Sequence, residues 1–500
     1  MGCGLFFCSF VAQSKYIFLM KTTKPLILIA LVAVMGCQRS NPTEPGLCYE
    51  LSYDATAQKI NVTMRYTPAN DDSISFCYGN PGFGGQADIF NCVQDLSVSS
   101  RYRLVDSLRQ VTVYPDGKAP VEMCYSVVDD GARGEFVREL FRPVLKEDYL
   151  YCASLNLLFL PDDDALPVKL QWTENEPFHI VSYIDPNLKE GEWWSGKVSD
   201  LRMSLFVGGN NLNMEPCKAG NANGYVITQL PDSLKFNAPL VKDFFVKYFS
   251  TCREFWQDTA WEEYSLAVLP FLDEEITHTI GGISYEKGFC AKYSVKGDAV
   301  LSETNTFTIA HEVGHHWIGT ALSTSTENQW FGEGFNDYQT YYNLSHCGVM
   351  SADWFERRFN DEMRTYYTSP ISTLPNEEVW KNYWTMGDYN KLPYRRGCIF
   401  AFFLDNQIRL ATEGKDDFMS LMRTLKQVAE GKENGQLEVE DFIQASAKFL
   451  PENDVRQYIE DYIMQGQLID FSSVPLSKEF SMSIDEGVPA VKVMGNAIPY

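Results

Sequence analysis

Two histidines and a glutamate share one short segment, His311-Glu312-Val313-Gly314-His315. If the segment is helical, side chains four positions apart lie one above the other, so His311 and His315 can reach one metal ion. Glu312 then lies where it can contact a water bound to that metal. This pattern predicts a hydrolytic zinc site, in which one coordination position stays open for water. The alternative is a buried helix whose two histidines serve only packing.

A zinc site of this kind needs a third protein ligand. The motif WFGEGF supplies Glu333, 18 positions after His315, on the next predicted helix. A helix, a short turn and a second helix would bring the Glu333 carboxylate back to the two histidines. We therefore predict one Zn²⁺ ion held by His311, His315 and Glu333. Glu312 is the predicted general base.

Two neighbouring residues extend this prediction. Asp337 lies one helical turn beyond Glu333 and is a candidate for orienting a liganding histidine, while a solvated helix aspartate is the alternative. His316 points away from the ligand face of the helix, so it is not predicted to bind the metal.

The elements that position these residues are predicted after residue 204. The pattern at 237–256 indicates an amphipathic helix, and YSLAVLPFLD indicates a buried strand. GGISYEKGFCAKYSV is typical of a strand opened by a glycine pair, and ETNTFTIAHEVGHHWIG of a helix packed on one side. Residues 205–350 are therefore predicted to form an α/β lobe that carries the zinc site.

The chain after residue 350 is predicted to be mostly helical. Residues 351–465 form a predicted helical lobe, which includes PYRRGCIFAFFLDNQIRLATEG with Pro393 near the start of a helix and Gly414 at its end. The strand-like pieces FSMSI and AVKVM follow in residues 466–500.

Residues 47–204 alternate apolar and polar side chains in short stretches such as KINVTMRYT, QVTVYP and VKLQW. Turn clusters such as PANDD and YPDG separate these stretches. The pattern predicts an N-terminal antiparallel β-sandwich-like domain. A chain of 500 residues is too long for one ordinary hydrophobic core. The predicted fold class is therefore multidomain α+β, with a β-domain, a zinc-binding lobe and a helical lobe.

Residues 1–36 have the pattern of a secretion signal. From Met20, two lysines precede an apolar stretch that ends at Gly36, and Cys37 follows. This arrangement resembles the lipobox of bacterial lipoproteins, in which the cysteine is lipidated. We predict a true start at Met20, a lipid anchor at Cys37 and a tether at 37–46. The protein would then be extracytoplasmic and attached to a membrane, and plain secretory cleavage near Gly36 is the alternative.

Acidic residues dominate the composition, because 66 Asp and Glu stand against 42 Lys and Arg and give a formal net charge of −24. No basic run is longer than a pair, and phosphate-backbone binding needs clustered positive charge, so no nucleic-acid partner is expected. The chain contains 13 cysteines. In an extracytoplasmic compartment we expect a few disulfide bridges beside buried free thiols.

The motif HEVGHHWIG followed by WFGEGF resembles the gluzincin metallopeptidases, which include the aminopeptidase N-like enzymes and the glycyl aminopeptidase family. The later YRRG, leading into CIFAFFLDNQIR, is similar to the Tyr-x-Lys-Gly segment and the Leu-Leu-Asp helix of the glycyl aminopeptidase family. The resemblance spans most of residues 47–465. It implies a thermolysin-like catalytic domain between a β-domain and a helical domain.

The resemblance also implies further site residues. Tyr394 matches the family's tyrosine that stabilises the tetrahedral intermediate, and a phenol at a helix N-terminus would suit a developing oxyanion. A buried packing tyrosine is the alternative. Gly281 and Gly282 match a glycine-rich strand that binds substrate, but Ser284 stands where that strand carries a glutamate for the substrate's free amine.

These observations favour a zinc-dependent metallopeptidase that hydrolyses peptide or protein substrates by metal-activated water. The resemblance implies aminopeptidase-like specificity, provided that Glu286 or another acid takes the place of the amine-binding glutamate. An endopeptidase of the same mechanism and a non-catalytic peptide-binding lipoprotein are the alternatives that Ser284 leaves open.

Overall fold

The computed structural model describes residues 46–79, 88–131, 136–173, 178–229, 238–259, 263–273, 276, 280–294, 301–383, 387–432 and 435–495. Within these residues the chain forms two compact units, one ending at Asn211 and one beginning at Leu212. The predicted signal segment and the predicted lipidation site Cys37 lie outside the described residues. Among the described helices, none is both long enough and apolar enough to cross a membrane.

The N-terminal unit is built mainly from strands. Its strands are β1 (Gly46–Asp54), β2 (Lys59–Thr67), β3 (Ile74–Tyr78), β4 (Val93–Val98), β5 (Arg101–Val105), β6 (Gln110–Tyr114), β7 (Val121–Val128), β8 (Val144–Lys146), β9 (Tyr149–Ala153), β10 (Phe159–Pro161), β11 (Pro167–Thr173), β12 (His179–Ser182), β13 (Trp194–Lys197) and β14 (Leu205–Gly209). Its helices are α1 (Phe136–Phe141) and α2 (Val198–Arg202).

These strands form three sheets, in the orders β13-β11-β1-β2-β7-β4, β10-β3-β6-β5 and β12-β14-β9-β8. Buried and partly exposed residues alternate along β1 and β2, because one face of each strand lies against a core. That core includes Tyr49, Met64 and Trp172. The predicted N-terminal β-domain is confirmed, but it is not purely antiparallel, since β1 and β11 run parallel.

The N-terminal unit extends past the predicted boundary at residue 204. The next segment, Leu205–Gly209, forms β14 and pairs with β9 and β12 of the same unit. Backbone hydrogen bonds to two neighbours fix this strand in the N-terminal unit, so the boundary lies at Asn211 and Leu212.

The C-terminal unit combines a sheet with a large set of helices. Its helices are α3 (Ala238–Trp256), α4 (Glu303–Gly314), α5 (Asn336–His346), α6 (Ala352–Thr368), α7 (Asn376–Asn382), α8 (Asp388–Ala411), α9 (Phe418–Glu430), α10 (Val439–Ser446) and α11 (Glu452–Tyr458). Its strands are β15 (Asn213–Ala219), β16 (Ala222–Thr228), β17 (Ser265–Pro270), β18 (Ile280–Tyr285), β19 (Gly288–Tyr293), β20 (Ser323–Thr324), β21 (Gln436–Leu437), β22 (Phe480–Asp485) and β23 (Val488–Val493). Two π-helical segments are Trp330–Phe335, which continues into α5, and Ile459–Met464, which follows α11.

The largest sheet of the C-terminal unit has the order β15-β16-β17-β19-β18, so β18 is an edge strand among the described residues, and β20-β21 and β22-β23 form two small sheets. The segment predicted as one glycine-opened strand is in fact a hairpin. Strands β18 and β19 pair antiparallel, with Glu286 and Lys287 as the connecting turn. A two-residue connection is the shortest that reverses a strand, and the continuous apolar pattern on both sides concealed it.

The helices after residue 350 share an apolar core with the elements that precede it. Phe359 of α6 and Phe400 of α8 belong to the same apolar core as Phe245 of α3 and Ile309 of α4. The whole segment from Leu212 onwards is accordingly one compact unit. The predicted division at residues 350 and 351 does not coincide with a boundary between the two compact units, because large aromatic side chains join the helices before and after it.

The predicted disulfides are absent from the part of the chain that the structure describes. Every cysteine there is a free thiol, and most of them are buried. Cys252 and Cys398, for example, pack inside the apolar core of the C-terminal unit. A free cysteine in such a place acts as a small apolar side chain, so these residues fill the core instead of crosslinking it.

One crossing in the C-terminal unit brings two backbones unusually close. A Cβ atom at Gly397 of α8 would overlap the carbonyl oxygen of Trp330, and a Cβ atom at Gly334 would overlap the backbone of Gly397. Neither glycine is needed for an unusual φ angle. Both are needed because any larger residue would push α8 away from the segment Trp330–Phe335.

This crossing generates a stability prediction. We expect Gly397→Ala to lower the free energy of unfolding by about 3 kcal/mol, because the added methyl group overpacks a backbone contact. Scanning calorimetry of the purified protein measures the change. Gly332→Ala is the matched control, since a Cβ atom there meets only the Gln329 side chain, at the ordinary distance of 3.7 Å. Equal melting temperatures for the two variants would contradict the prediction.

Candidate metal centre

Helix α4 presents the two histidines and the glutamate of the HExxH motif. The helix begins cleanly because the side chain of Ser302 accepts a hydrogen bond from the backbone N–H of Asn305, at 3.2 Å. It ends at Gly314, with His315 as its C-cap residue. All three functional side chains belong to residues that are at most 7% exposed, so their polar atoms must find partners inside the protein.

The predicted ligands converge on one point. The Nε2 atoms of His311 and His315 lie 3.2 Å and 3.3 Å from the same oxygen, Oε2 of Glu333. Glu333 reaches this position from the π-helical segment Trp330–Phe335, whose wider turn precedes α5. The sequence predicts a helix after Gly332, whereas the helical geometry already begins at Trp330.

The other nitrogen of each imidazole is held by the protein. His311 Nδ1 lies 2.8 Å from Oδ1 of Asp337, and His315 Nδ1 lies 3.0 Å from the backbone oxygen of Ile318. These contacts fix both rings so that each Nε2 faces Glu333. Asp337 thus occupies the place predicted for a carboxylate that orients a metal ligand.

Close packing of α5 against α4 makes the Asp337 contact possible. A Cβ atom at Gly314 would overlap Oδ1 of Asn336. The side-chain amide of Asn336 donates to the backbone oxygen of His311, at 2.8 Å. The glycine inside the HExxH motif therefore lets α5 approach near enough for its first turn to reach the histidine.

The electrostatics of the cluster favour a cation. Burial alone would lower the pKa of His311, but Asp337 and Glu333 outweigh it and raise that pKa to about 9. Burial likewise disfavours charge on His315, yet Glu333 raises its pKa. For Glu333, burial would raise the pKa, and the two imidazoles bring it below its ordinary value instead. The pKa of each histidine is thus shifted in favour of its positively charged form, and the pKa of Glu333 in favour of its negatively charged form.

Two buried polar atoms at this point make no well-aligned hydrogen bond with the described residues, although one of them lies 3.3 Å from Oε2 of Glu333. They are Nε2 of His315 and Oε1 of Glu312. Candidate ligand atoms of His311, Glu312 and His315 all lie within 4.8 Å of one another. Two imidazole nitrogens and the Glu333 carboxylate oxygen match the three protein ligands of a catalytic zinc site. The residues present therefore fit a Zn²⁺ ion.

Glu312 lies beside the ligands without joining their hydrogen bonds. Burial raises the pKa of its carboxyl group well above the ordinary value. A raised pKa makes a carboxylate a stronger proton acceptor, which is what a general base requires. The geometry is thus compatible with the predicted proton-transfer role.

Tyr394 reaches the site from α8. Its ring stacks on the ring of His311, with centroids 5.9 Å apart and planes inclined by 22°. The prediction that it lies at a helix N-terminus was wrong, because α8 begins at Asp388 and Tyr394 is in its second turn. The helix dipole falls off within the first turn, so neighbouring side chains and not the dipole set the environment of this phenol.

The motif YRRG is anchored by its second arginine. The buried guanidinium of Arg396 donates to the backbone oxygens of Ser372, Leu374 and Ile463. Three carbonyl acceptors satisfy a cation that would otherwise be costly to bury. Arg396 consequently fixes the rotation of α8 about its axis, and with it the direction of Tyr394.

The predicted substrate-binding strand lies beside α4. Gly281, Gly282 and Ser284 belong to β18, and the Ser284 hydroxyl donates to the backbone oxygen of Glu312, at 3.0 Å. A Cβ atom at Gly282 would overlap the ring of Phe289, so this glycine serves packing within the hairpin. Glu286 lies exposed in the hairpin turn.

Two residues near the site have positions that the motifs do not reveal. Lys391 lies over the ring of Tyr394, with its Nζ atom 4.3 Å from the ring centroid. Its position three residues before Tyr394 places both on one helix face, which is the only signal in the sequence. His316, predicted not to bind metal, packs edge-on against Tyr264, with centroids 4.8 Å apart, and burial lowers its pKa to about 3.

The Asp337 contact generates a prediction about metal affinity. We expect Asp337→Asn to weaken zinc binding roughly tenfold to a hundredfold, because a neutral amide orients and polarises the His311 ring less well than a carboxylate. Competition with a chelating dye measures the affinity. Asp361→Asn, on the exposed side of α6, is the control and should bind zinc as the unaltered protein does. Unchanged affinity in Asp337→Asn would show that the contact is structural only.

Comparisons with known proteins give one clear result. No protein-family model matches the chain, and no curated protein matches its sequence. Solved structures do match. An aminopeptidase N family protein from Idiomarina loihiensis superposes with a TM-score of 0.69 over 88% of this chain and 80% of that one, at 15% identity.

Two further solved structures share the architecture. An M1 zinc metallopeptidase mutant from Deinococcus radiodurans, bound to a Tyr-Ser-Ala substrate, has a TM-score of 0.53 over 86% of this chain and 96% of that one, at 12% identity. Yeast LTA4 hydrolase has a TM-score of 0.50 over 85% of this chain and 68% of that one, at 13% identity. The resemblance found in the sequence motifs is thus confirmed at the level of the fold: the chain has the α+β fold of the aminopeptidase N family and of the M1 zinc metallopeptidases.

Proposed function

We propose that this protein is a zinc-dependent peptidase. The observation that carries the proposal is the convergence of His311, His315 and Glu333 on one buried point, beside the carboxylate of Glu312. A buried base next to three metal ligands has no packing purpose that an apolar side chain would not serve better. The fold shared with M1 zinc metallopeptidases supports the same conclusion.

The residues of this chain divide the chemistry among them. A zinc ion, when bound, lowers the pKa of water and polarises a carbonyl group. Glu312 accepts a proton from the attacking water and passes it to the leaving amine. The Tyr394 phenol donates a hydrogen bond to the oxygen that becomes negatively charged. Asp337 holds the His311 ring in the orientation that binding requires.

Strand β18 is proposed to bind the substrate backbone. It is the outer strand of its sheet in the described part of the chain, and it lies beside the helix that carries Glu312. An extended peptide can add to such an edge as a further strand, with its own backbone hydrogen bonds. Gly281 would then keep that edge free of bulky side chains.

We propose peptides with a free N-terminus as substrates. The fold of the aminopeptidase N family supports this choice, and the Deinococcus radiodurans enzyme of the same fold was crystallised with a tripeptide. An endopeptidase is the second candidate, and Ser284 favours it, because a hydroxyl already bonded to the Glu312 backbone offers no negative charge to a substrate amine. Attachment to a membrane through a lipid at Cys37 remains part of the proposal.

The proposed role of Glu312 yields a prediction. We expect Glu312→Gln to lower kcat for peptide hydrolysis roughly a hundredfold to ten-thousandfold, because an amide cannot accept the proton of water, while zinc stays bound. Turnover and metal content are measured on the same preparation. Glu303→Gln lies on the same helix with an exposed side chain and serves as the control. Substantial turnover by Glu312→Gln would refute the role of Glu312.

The choice between end trimming and internal cleavage yields another prediction. We expect the protein to remove the first residue from peptides with a free N-terminus and to leave their N-acetylated counterparts intact, because acetylation removes the charge that an aminopeptidase recognises. Mass spectrometry of both peptide sets identifies the products. Equal internal cleavage of the two sets would instead support the endopeptidase. Zinc-loaded protein that cleaves neither set would contradict the peptidase proposal and favour a peptide-binding protein.

A further inference from the structure

A cation and an aromatic ring form a row that ends at His311, one of the proposed metal ligands. The Nζ atom of Lys391 is 4.3 Å from the ring centroid of Tyr394, and that ring stacks on the imidazole of His311 with centroids 5.9 Å apart. A cation within about 6 Å of a ring centroid is attracted to the π-electrons. The Tyr394 ring therefore touches a cation and a metal ligand at the same time.

Local helix geometry holds Lys391 beside Tyr394. Lys391 and Tyr394 are three positions apart on α8, and residues so spaced are neighbours on one helix face. The rotation of α8 is itself fixed by the contacts of Arg396 with three backbone oxygens. The lysine is consequently aimed at the ring by a rigid element.

Three acids lie near Lys391. Burial lowers the pKa of its ammonium group, and the carboxylates of Asp337, Glu333 and Glu362 offset part of that lowering. A lysine that served only solubility would extend into water, where its charge is best hydrated. The Lys391 side chain is instead partly buried, near acidic side chains and over the ring of Tyr394.

An ammonium group over the ring affects the phenol in two ways. It restricts the ring to one orientation, and it withdraws electron density from the ring, which makes the O–H a stronger hydrogen-bond donor. Both effects matter only when a negative charge develops on the substrate oxygen, which is when the phenol is required.

We propose that Lys391 is a positioning residue for Tyr394, which it holds and polarises through cation–π contact so that the phenol can donate to the substrate oxyanion. The inference rests on the proposed peptidase function and adds to it a residue that no motif reveals. It predicts an effect on kcat and not on KM, because substrate binding in the ground state does not use the phenol.

A double-mutant cycle tests the proposal. We expect Lys391→Met to lower kcat about tenfold with KM changed less than twofold, while Lys391→Arg keeps most of the activity because guanidinium groups also bind ring faces. In a Tyr394→Phe background, Lys391→Met should cause no further loss, since the phenol on which it acts is gone. Lys448→Met, at an exposed position, is the matched control.

Two results would overturn the inference. Unchanged kcat in Lys391→Met would show that the contact has no role, and an equal loss in the Tyr394→Phe background would show that Lys391 acts on the substrate directly. If Lys391→Met does not fold, as judged by its melting curve and zinc content, Lys391→Gln replaces it in the cycle.

A binding measurement separates this inference from the proposed function. A phosphinic peptide mimics the tetrahedral intermediate and can accept a hydrogen bond from Tyr394 without being cleaved. We expect Lys391→Met to weaken its binding, measured by calorimetry, about tenfold, and only when Tyr394 is present. If the unaltered protein shows this dependence but cleaves no peptide, the peptidase proposal fails and the role of Lys391 stands. Binding that is insensitive to Lys391 contradicts the inference whether or not peptides are cleaved.

Discussion

The C-terminal unit depends on one interaction, the contact of the buried Glu333 carboxylate with the imidazoles of His311 and His315. A buried charge is tolerated only where opposite charge and hydrogen bonds surround it closely. Here both imidazoles turn their Nε2 atoms to one carboxylate oxygen, at 3.2 Å and 3.3 Å. Asp337 and the Ile318 carbonyl hold the opposite edges of the rings. The helices that carry these groups must therefore pack in one arrangement.

That arrangement is achieved through glycines at the crossings. Gly314 lets α5 approach α4, and the pair Gly334 and Gly397 lets α8 approach the segment that carries Glu333. At Gly334 and Gly397 two backbones meet directly, and at Gly314 the side chains of Asn336 and Gln339 occupy the space of a Cβ atom, so the helices lie closer together. Gly314 of HEVGH, Gly334 of WFGEGF and Gly397 of YRRG thus have one common purpose. They bring the candidate metal ligands, Asp337 and Tyr394 into one small volume.

The convergence of the candidate ligands was predictable because it depends on local geometry. Helical periodicity alone puts His311 and His315 on one face, and the next helix is the nearest source of a third ligand. Features that depend on tertiary packing were not predictable. Two of these features join distant segments of the chain: the parallel pairing of β1 with β11 and the single core across residue 350. The third, the contact of Lys391 with Tyr394, depends on side-chain rotamers that periodicity does not fix. The early start of α8 was missed because Pro393 suggested a first turn, although the helix accommodates it in its interior.

Ser284 shows why substrate recognition is the least transferable feature of this fold. Its hydroxyl donates to the backbone oxygen of Glu312, so it links β18, the proposed substrate-binding strand, to α4, which carries the proposed general base. An ionised glutamate at this position could not make that link, because a carboxylate only accepts hydrogen bonds and would face another acceptor. A side chain at position 284 can donate a hydrogen bond from the strand to the helix, or it can offer a negative charge to a substrate amine. It cannot do both. In this chain Ser284 makes the hydrogen bond, so any group that recognises a free N-terminus must lie at another position.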